Sequence, residues 1–323
     1  MAGSGRKTFS PGDVLTSSDV QNYLMDQSVM VFAGTAARTS AIPSPSAGMV
    51  AYSTATQLQV YNGTAWVDAS TGYGVATGGS ALPTPPTGYS GMSFTADGTL
   101  TVTKAGLFDV LMFAGAGGGG NGMAFDPSGG GGGGAGGKVV ATLYLAATTY
   151  AITVGAGGAG GLTDSSFGNA GLATGITNII AAIGGGGGMA NDVNTFATAV
   201  GRGGCGGGGG TRVNTGQNGT LGQGFAGGTT SGTSIAGAGG GGVGGIGQPN
   251  VTTTAGAGGI GFDVSSFIGG STLTKGIGGA GGSGTVAGAA GGANTANGGA
   301  GGGRGDYDGG SGGSGIVYIR FKV

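Results

Sequence analysis

Glycine is distributed very unevenly along this chain, and the distribution limits what the chain can fold into. Residues 1–114 hold 14 of the 90 glycines, and the other 209 residues hold the remaining 76. Ordering glycine costs more backbone entropy than ordering any other residue type. The glycine-rich tract nevertheless contains strand-like segments and ends in an apolar strand at residues 316–323. We therefore predict an ordered tract that is stabilised by something other than an ordinary hydrophobic core.

Three glycine-rich architectures do not fit the tract. Collagen requires glycine at every third position with abundant proline, and only Pro127 and Pro249 lie beyond residue 114. A flexible linker would lack apolar clusters such as those at residues 176–183 and 262–268. A calcium-binding nonapeptide would recur, whereas its nearest match, residues 302–307, does not. What remains is a bundle of extended polyglycine helices with three residues per turn, joined by hydrogen bonds between segments.

The N-terminal part is predicted to contain a helix and a small sheet. Residues 16–19 resemble a capping box, and a short helix is expected at about residues 18–28. Residues 39–47 contain two prolines and indicate a linker. Asn62-Gly63 favours a type I′ hairpin. We predict an N-terminal docking arm and helix at residues 1–38, and a β-meander module at residues 39–72 with strands at 49–53, 57–61 and 65–68.

Residues 73–323 are predicted to form one glycine-rich β domain. Residues 107–114 are apolar on both faces, which is typical of a buried central strand. Residues 316–323 alternate between apolar and polar side chains, which predicts a half-buried strand. The fold is therefore predicted to be mostly β, with a β-sandwich base and a polyglycine-II-type excursion at residues 115–137 and 155–315. Its strands are expected at residues 92–95, 99–104, 107–114, 138–145, 150–154 and 316–323, the fourth and fifth of these forming a consecutive pair joined by residues 146–149.

Composition argues against several classes of function. The chain has no histidine and no glutamate, and 12 acidic against 11 basic side chains give a net charge of -1. The usual general base and the commonest nitrogen ligand for metals are therefore absent. A single cysteine, Cys205, excludes an internal disulfide and a cysteine-cluster zinc site. We expect no enzymatic activity, no cofactor, no bound metal, no nucleic-acid partner and no membrane insertion.

Bulky and polar side chains interrupt the glycine tract at a few predicted turns. Side chains in a polyglycine lattice are expected only at turns and outer faces, so these turns are the predicted recognition surface. Within them, Arg304-Gly305-Asp306 matches the integrin tripeptide, but such a tripeptide also arises by chance beside glycine. The carboxylates of Asp306 and Asp308 are possible cation ligands, but two carboxylates alone are weak evidence for a cation site. The candidate receptor-binding residues are Phe125, Asp126, Asp192, Phe196, Arg212, Asn214, Asn218, Arg304, Asp306, Tyr307 and Asp308.

Two parts of the sequence resemble modules of bacteriophage proteins. Residues 107–120 (LFDVLMFAGAGGGG), 150–158 (YAITVGAGG) and 312–320 (GGSGIVYIR) resemble the glycine-rich domain of tailed-phage tail and fibre proteins. The composition is also similar to that of polyglycine-sandwich tip adhesins. Residues 48–52 (GMVAY) and 58–66 (LQVYNGTAW) resemble a small β-module of phage tail and head fibres.

These resemblances imply a virion protein, either a tail fibre or a minor tail protein. Its N-terminal region would attach to other virion proteins, and the turns of the tract would bind a host surface glycan or protein. A homotrimer is expected from the fibre resemblance, because the helix and meander are small. Two alternatives remain open: a capsid head fibre or decoration protein, and a spacer that binds no receptor. A bacterial glycine-rich surface protein is a third, and two points count against it: we expect no export signal in the polar stretch after Arg6 and Lys7, and the β-module resembles those of fibres.

Overall fold

The computed structural model divides the chain into two compact units, Met1–Gly72 and Tyr73–Val323. Among the described residues, strands outnumber helices in both units, most strongly in the second, which confirms the predicted mostly β fold. The structure describes residues 12, 14, 16–20, 29–53, 57–68, 72–124, 128–163, 166–190, 201–211, 215–231 and 235–323.

Among its described residues, the first unit contains a four-stranded sheet and two short helices. The elements are α1 (Ser17–Asp19), β1 (Met30–Phe32), α2 (Thr35–Ala41), β2 (Val50–Ser53), β3 (Gln57–Tyr61) and β4 (Trp66–Asp68). The strands follow the order β1-β2-β3-β4, with β1 parallel to β2 and the other neighbours antiparallel. Thr16 forms the predicted capping box with Asp19 at the start of α1. The rest of the predicted helix, residues 21–28, lies outside the described residues.

Two local predictions in this unit were wrong. The predicted linker at residues 39–47 begins inside α2, which continues to Ala41. The turn after β3 is not type I′, because Gly63 has a φ of 99° but Asn62 does not have a positive φ. Instead, the Asn62 side-chain oxygen accepts hydrogen bonds from the N–H groups of Thr64 and Ala65, at 2.9 and 2.8 Å. The asparagine side chain thus organises a four-residue loop.

The second unit is built on two five-stranded sheets. Its strands are β5 (Val75–Thr77), β6 (Ser80–Ala81), β7 (Tyr89–Phe94), β8 (Gly98–Lys104), β9 (Gly106–Phe113), β10 (Lys138–Leu145), β11 (Thr149–Thr153), β12 (Thr174–Ile176), β13 (Ile180–Ala182), β14 (Phe262–Asp263), β15 (Thr274–Lys275) and β16 (Ile316–Lys322), and its described residues also form the short helix α3 (Ser265–Ile268). The first sheet has the order β10-β9-β16-β7-β6, and the second has the order β13-β12-β11-β8-β5. A two-stranded ribbon, β14-β15, lies outside both.

The two sheets enclose the predicted sandwich core. Phe108 and Ile319 of the first sheet and Leu100 and Ile152 of the second are almost completely buried in one cluster. The consecutive strands β10 and β11 do not pair with each other, so the predicted pairing is wrong. β10 pairs with β9, whereas β11 pairs with β8 and β12 in the opposite sheet. The short connection between them therefore crosses the edge of the sandwich.

The terminal strand β16 is buried on both faces, so the half-buried prediction was wrong. Its Val317, Ile319 and Phe321 face the sandwich core. On its other face, Ile316 and Tyr318 pack in a second cluster with side chains that include Val243, Val264 and Phe267. These covering residues come from the predicted polyglycine excursion at 155–315, which is therefore not polyglycine throughout.

The polyglycine prediction describes the remaining segments well. The N–H groups of Gly115, Gly118 and Asn121 donate to one neighbouring segment, at residues 166–172. Those of residues 116, 119 and 122 donate to a second segment, at 307–313, and those of 117 and 120 donate to a third, at 131–134. Three further segments, at 158–161, 185–188 and 299–302, donate N–H hydrogen bonds to the carbonyl groups of residues 115–120. This three-residue periodicity, with six neighbours around one segment, is the pattern of a packed three-residue-per-turn helix lattice.

Close approach, and not backbone conformation, requires glycine in this lattice. None of the glycines at residues 115–122 or 129–137 has a positive φ. A Cβ added at Gly117, Gly118 or Gly119 would lie 1.9–2.1 Å from a carbonyl oxygen of a different neighbouring segment. Three consecutive residues therefore face three different neighbours. The lattice hydrogen bonds can form only because side chains are absent.

Small side chains are nevertheless accepted inside the tract where it meets the sandwich. Ala135 and Cys205 are fully buried and belong to the cluster that covers Tyr318. The expectation that side chains occur only at turns and outer faces was therefore too strict. Burial raises the pKa of the Cys205 thiol to about 12.

We expect Cys205 to react very slowly with a thiol reagent in the folded protein. The thiolate is the reactive form, and burial suppresses both its formation and its contact with the reagent. At pH 8, a chromogenic disulfide reagent should modify the native protein about 100-fold more slowly than the urea-unfolded chain, which should release one equivalent at once. Equal rates in the native and unfolded states would contradict this burial.

Candidate functional site

The turns farthest from the sandwich lie together at one end of the polyglycine lattice, which we call the tip. The first segment leaves β9 at Ala114, and the second returns at Gly137 to β10. The two segments reach Gly122 and Ser128, each about eight residues from the sandwich, or roughly 25 Å at the rise of an extended three-residue helix. Ser166 and the turn at 303–308 lie beside this end, since the Asn121 N–H donates to the Ser166 carbonyl and the Gly122 N–H donates to the Tyr307 carbonyl.

The turn at residues 304–308 is held by backbone hydrogen bonds on two sides. The Gly122 N–H donates to the Tyr307 carbonyl at 3.0 Å, and the Gly305 N–H donates to the Met123 carbonyl at 3.1 Å. On the other side, the Arg304 N–H donates to the Gly284 carbonyl at 2.6 Å. Gly305 has a φ of 88°, which lets the chain reverse there. The turn is therefore held in position by its backbone, while the side chains of Asp306, Tyr307 and Asp308 are exposed.

The structure brings four of the candidate residues together at the tip. Asp306, Tyr307 and Asp308 are exposed, and Arg304 is partly buried. Asn218 does not join them: it is exposed on a segment that packs beside Gly206, away from the tip turns. In the part of the chain that the structure describes, no group of three or more potential metal-ligating side chains is present. The candidates Phe125, Asp126, Asp192, Phe196, Arg212 and Asn214 lie outside the described residues.

Most of the second unit matches a known protein-family model. The model described as Glycine-rich domain matches residues 95–322. The chain belongs to the Glycine-rich domain family. The matched region begins just before β8 and includes the rest of the second unit up to the penultimate residue. A search of curated proteins found no significant match.

Sequence reasoning missed exposed aliphatic side chains at the tip of the Glycine-rich domain. Leu162, Val251 and Val286 are 66–69% exposed, and each lies in a turn at this end. Val286 adjoins the 304–308 turn, because its carbonyl accepts from the Gly303 N–H at 2.8 Å. The signal in the sequence was a single bulky residue in a turn between glycine segments. The tip therefore offers apolar as well as polar contacts.

Buried polar groups without partners also lie near the tip. Asn121 is fully buried, and neither atom of its side-chain amide has a hydrogen-bond partner. The Ser128 hydroxyl and the Nε of Arg304 are likewise buried and unpaired. Such groups cost stability unless something satisfies them, and ordered water commonly does so.

No helix among the described residues is long and apolar enough to cross a lipid bilayer.

Proposed function

We propose that the chain is a structural protein of a bacteriophage virion, a tail fibre or minor tail protein, and that its tip contributes adhesion to the host surface. The observation that carries the proposal is the hydrogen-bonded turn that exposes Asp306, Tyr307 and Asp308, with the partly buried Arg304 beside them, at the end of a glycine-rich lattice. Such a framework loses little conformational freedom on binding, which lowers the entropic cost of recognition. The resemblance to phage tail and fibre sequences supports the viral assignment.

The chemistry of the turn fits a glycan or a polar protein surface. Tyr307 offers an aromatic face together with a hydroxyl, and the two aspartates accept hydrogen bonds from sugar hydroxyls. Arg304 adds a donor group with a fixed planar shape. No step of this function requires a cofactor, a metal or catalysis. In this proposal the protein acts as a non-enzymatic adhesion component of the virion.

Attachment to the virion is assigned to the first unit. Its β-module resembles those of phage fibres, and a homotrimer is the proposed assembly. In the main alternative, the protein is a head fibre or decoration protein, or a spacer without receptor binding. Labelled antibody against the first unit, imaged on intact particles, would distinguish tail from head.

Binding to cells tests adhesion directly. We expect the fluorescently labelled full-length protein to bind one or more strains of a bacterial panel and to compete with phage adsorption on those strains. Tyr307→Ala should weaken binding about tenfold or more, since exposed aromatic residues often dominate recognition. Flow cytometry across a concentration series measures the effect.

Tyr144→Ala is the matched control, because Tyr144 is also exposed but lies on β10 of the sandwich. Its cell binding should equal that of the unmodified protein. Failure to bind any strain at micromolar protein would favour the spacer alternative. An equal loss in both variants would show that the tip is not the adhesive surface.

A further inference from the structure

The loop between β3 and β4 contains one of the Asn-Gly dipeptides of the chain. These dipeptides begin at Asn62, Asn121, Asn218 and Asn297. In such a pair the backbone nitrogen of glycine can attack the side-chain amide carbon of asparagine, because glycine has no Cβ to obstruct the approach. The two neighbouring residues supply every atom of the five-membered ring that forms, so the reaction is intramolecular. The hydrogen bonds of the two groups then decide which of the dipeptides reacts.

The loop at Asn62 leaves both reacting groups accessible. Asn62 and Gly63 are exposed. Among the described residues, no acceptor binds the Gly63 N–H or the side-chain nitrogen of Asn62. The Gly63 nitrogen is therefore available as a nucleophile once it loses its proton, and the side-chain nitrogen is free to leave as ammonia. The loop itself is held by the Asn62 N–H, which donates to the Ala65 carbonyl at 3.0 Å.

Three hydrogen-bond donors converge on the side-chain oxygen of Asn62. The N–H groups of Thr64 and Ala65 donate to it at 2.9 and 2.8 Å, and the Thr64 hydroxyl donates at 2.9 Å. Attack on the amide carbon places negative charge on this same oxygen. Donors that already point at the oxygen stabilise the charge without reorganising, as in an oxyanion hole. The contacts that fold the loop around Asn62 therefore also activate its amide.

The other Asn-Gly dipeptides lack this combination. Asn121 is fully buried, and the Gly122 N–H donates to a carbonyl of a neighbouring segment at 3.0 Å. The Gly298 N–H likewise donates to a carbonyl at 2.9 Å. Asn218 is exposed, but none of the described residues donates a hydrogen bond to its side chain. The four dipeptides thus form a comparison set within one chain.

We propose that Asn62 is a self-modification site, at which the asparagine deamidates through a cyclic imide. Hydroxide removes the Gly63 amide proton, and the nitrogen forms a bond to Cγ of Asn62. The bond from Cγ to Nδ2 breaks, and the departing nitrogen takes a proton from water and leaves as ammonia, which regenerates the hydroxide. A second water opens the imide at either of its two carbonyls, leaving aspartate or isoaspartate. The net reaction consumes one water, releases one ammonia and adds one negative charge.

The two products have different consequences for the hairpin. Aspartate keeps an oxygen for the N–H groups of Thr64 and Ala65, so the loop persists with one added charge. Isoaspartate lengthens the backbone by one carbon between β3 and β4. Tyr61 pairs with Trp66 there, with ring centres 5.5 Å apart. We expect the added carbon to disturb this pairing. The inference does not depend on whether the tip binds a host surface.

Mass spectrometry of the full-length protein tests the site. Chymotrypsin cleaves after Tyr61 and Trp66, so Asn62 is recovered in a short peptide. At mildly alkaline pH, Asn62 should deamidate about threefold or more faster in the native protein than in the urea-unfolded chain. Asn121 and Asn297 should react about 100-fold more slowly in the native state, because their dipeptides are hydrogen-bonded in the lattice. A native rate at Asn62 equal to or below the unfolded rate would overturn the proposal.

Substitution of Thr64 tests the role of the donors. Thr64→Val removes the hydroxyl but keeps the shape, and should slow native deamidation about threefold or more without changing the unfolded rate. Thr64→Ser keeps the hydroxyl and should retain the native rate. Fluorescence of Trp66, the single tryptophan, reports whether the sheet of each variant is intact. Equal native rates in Thr64→Val and the unmodified protein would show that the loop does not activate Asn62.

Discussion

Gly119→Ala is expected to destabilise the Glycine-rich domain by about 3 kcal/mol or more. The new Cβ would lie 1.9 Å from the Ala300 carbonyl oxygen, which is backbone and cannot rotate away. That oxygen accepts a hydrogen bond from Gly310, and Gly119 itself donates to Gly310, each at 2.8 Å. Separating the segments therefore strains several hydrogen bonds at once. The lower unfolded-state entropy of alanine offsets only about 0.4–1 kcal/mol.

Calorimetry of the full-length protein measures this effect as a fall in the Tm of the second unit. A loss of this size corresponds to roughly 6–12 °C for a domain of this length. Gly292→Ala is the control, because its Cβ would meet only the Thr295 side chain, at 3.2 Å. The control should shift the free energy of unfolding by no more than about 0.5 kcal/mol. Unchanged stability in Gly119→Ala would refute the close-packed lattice.

The kind of lattice could be predicted from the sequence, but its neighbours could not. The absence of a collagen period and the apolar strands at both ends of the tract were sufficient to indicate polyglycine helices. The neighbours of each segment are chosen by backbone groups that every glycine shares. Gly117, Gly118 and Gly119 face three different segments although their side chains are identical. No pattern of side chains records this arrangement.

Strand positions were predicted better than strand partners. The predicted strand at residues 138–145 coincides with β10, yet its expected pairing with β11 was wrong. A short connection normally favours a hairpin. Here Leu145 and Ile152 are both buried in the sandwich core from opposite sheets. Burying both side chains in the core, one from each sheet, stabilises the fold more than a local hairpin between β10 and β11 would.

The candidate site was predictable to the extent that side chains interrupt glycine. That rule located the cluster at Arg304, Asp306, Tyr307 and Asp308. It also selected Asn218, because the sequence does not distinguish turns at the tip from segments that run back toward the sandwich. Exposed apolar side chains on the sheet of the first unit, namely Val31, Tyr52, Leu58 and Val67, were missed for a different reason. Alternation shows that two faces differ, but it does not show which of them a helix such as α2 will cover.

Tyr318→Ala is expected to cost about 3–5 kcal/mol, as much as truncating a side chain in the sandwich core. Simple alternation along β16 places Tyr318 on a solvent face, where truncation would cost almost nothing. In the structure it is 4% exposed, pairs with Leu111 of β9, and packs in the cluster that contains Val264 and Phe267. Burial also raises the pKa of its hydroxyl to about 12.

Urea unfolding distinguishes these two pictures of the terminal strand. Tyr144→Ala is the natural control, because it truncates the same residue type on another strand of the same sheet, where Tyr144 is 69% exposed. It should change the free energy of unfolding by less than about 0.5 kcal/mol. If both variants lost equally little, the excursion would not pack on β16. A large loss confined to Tyr318→Ala would mean that the residues inserted between polyglycine segments serve as the second hydrophobic layer of the sandwich.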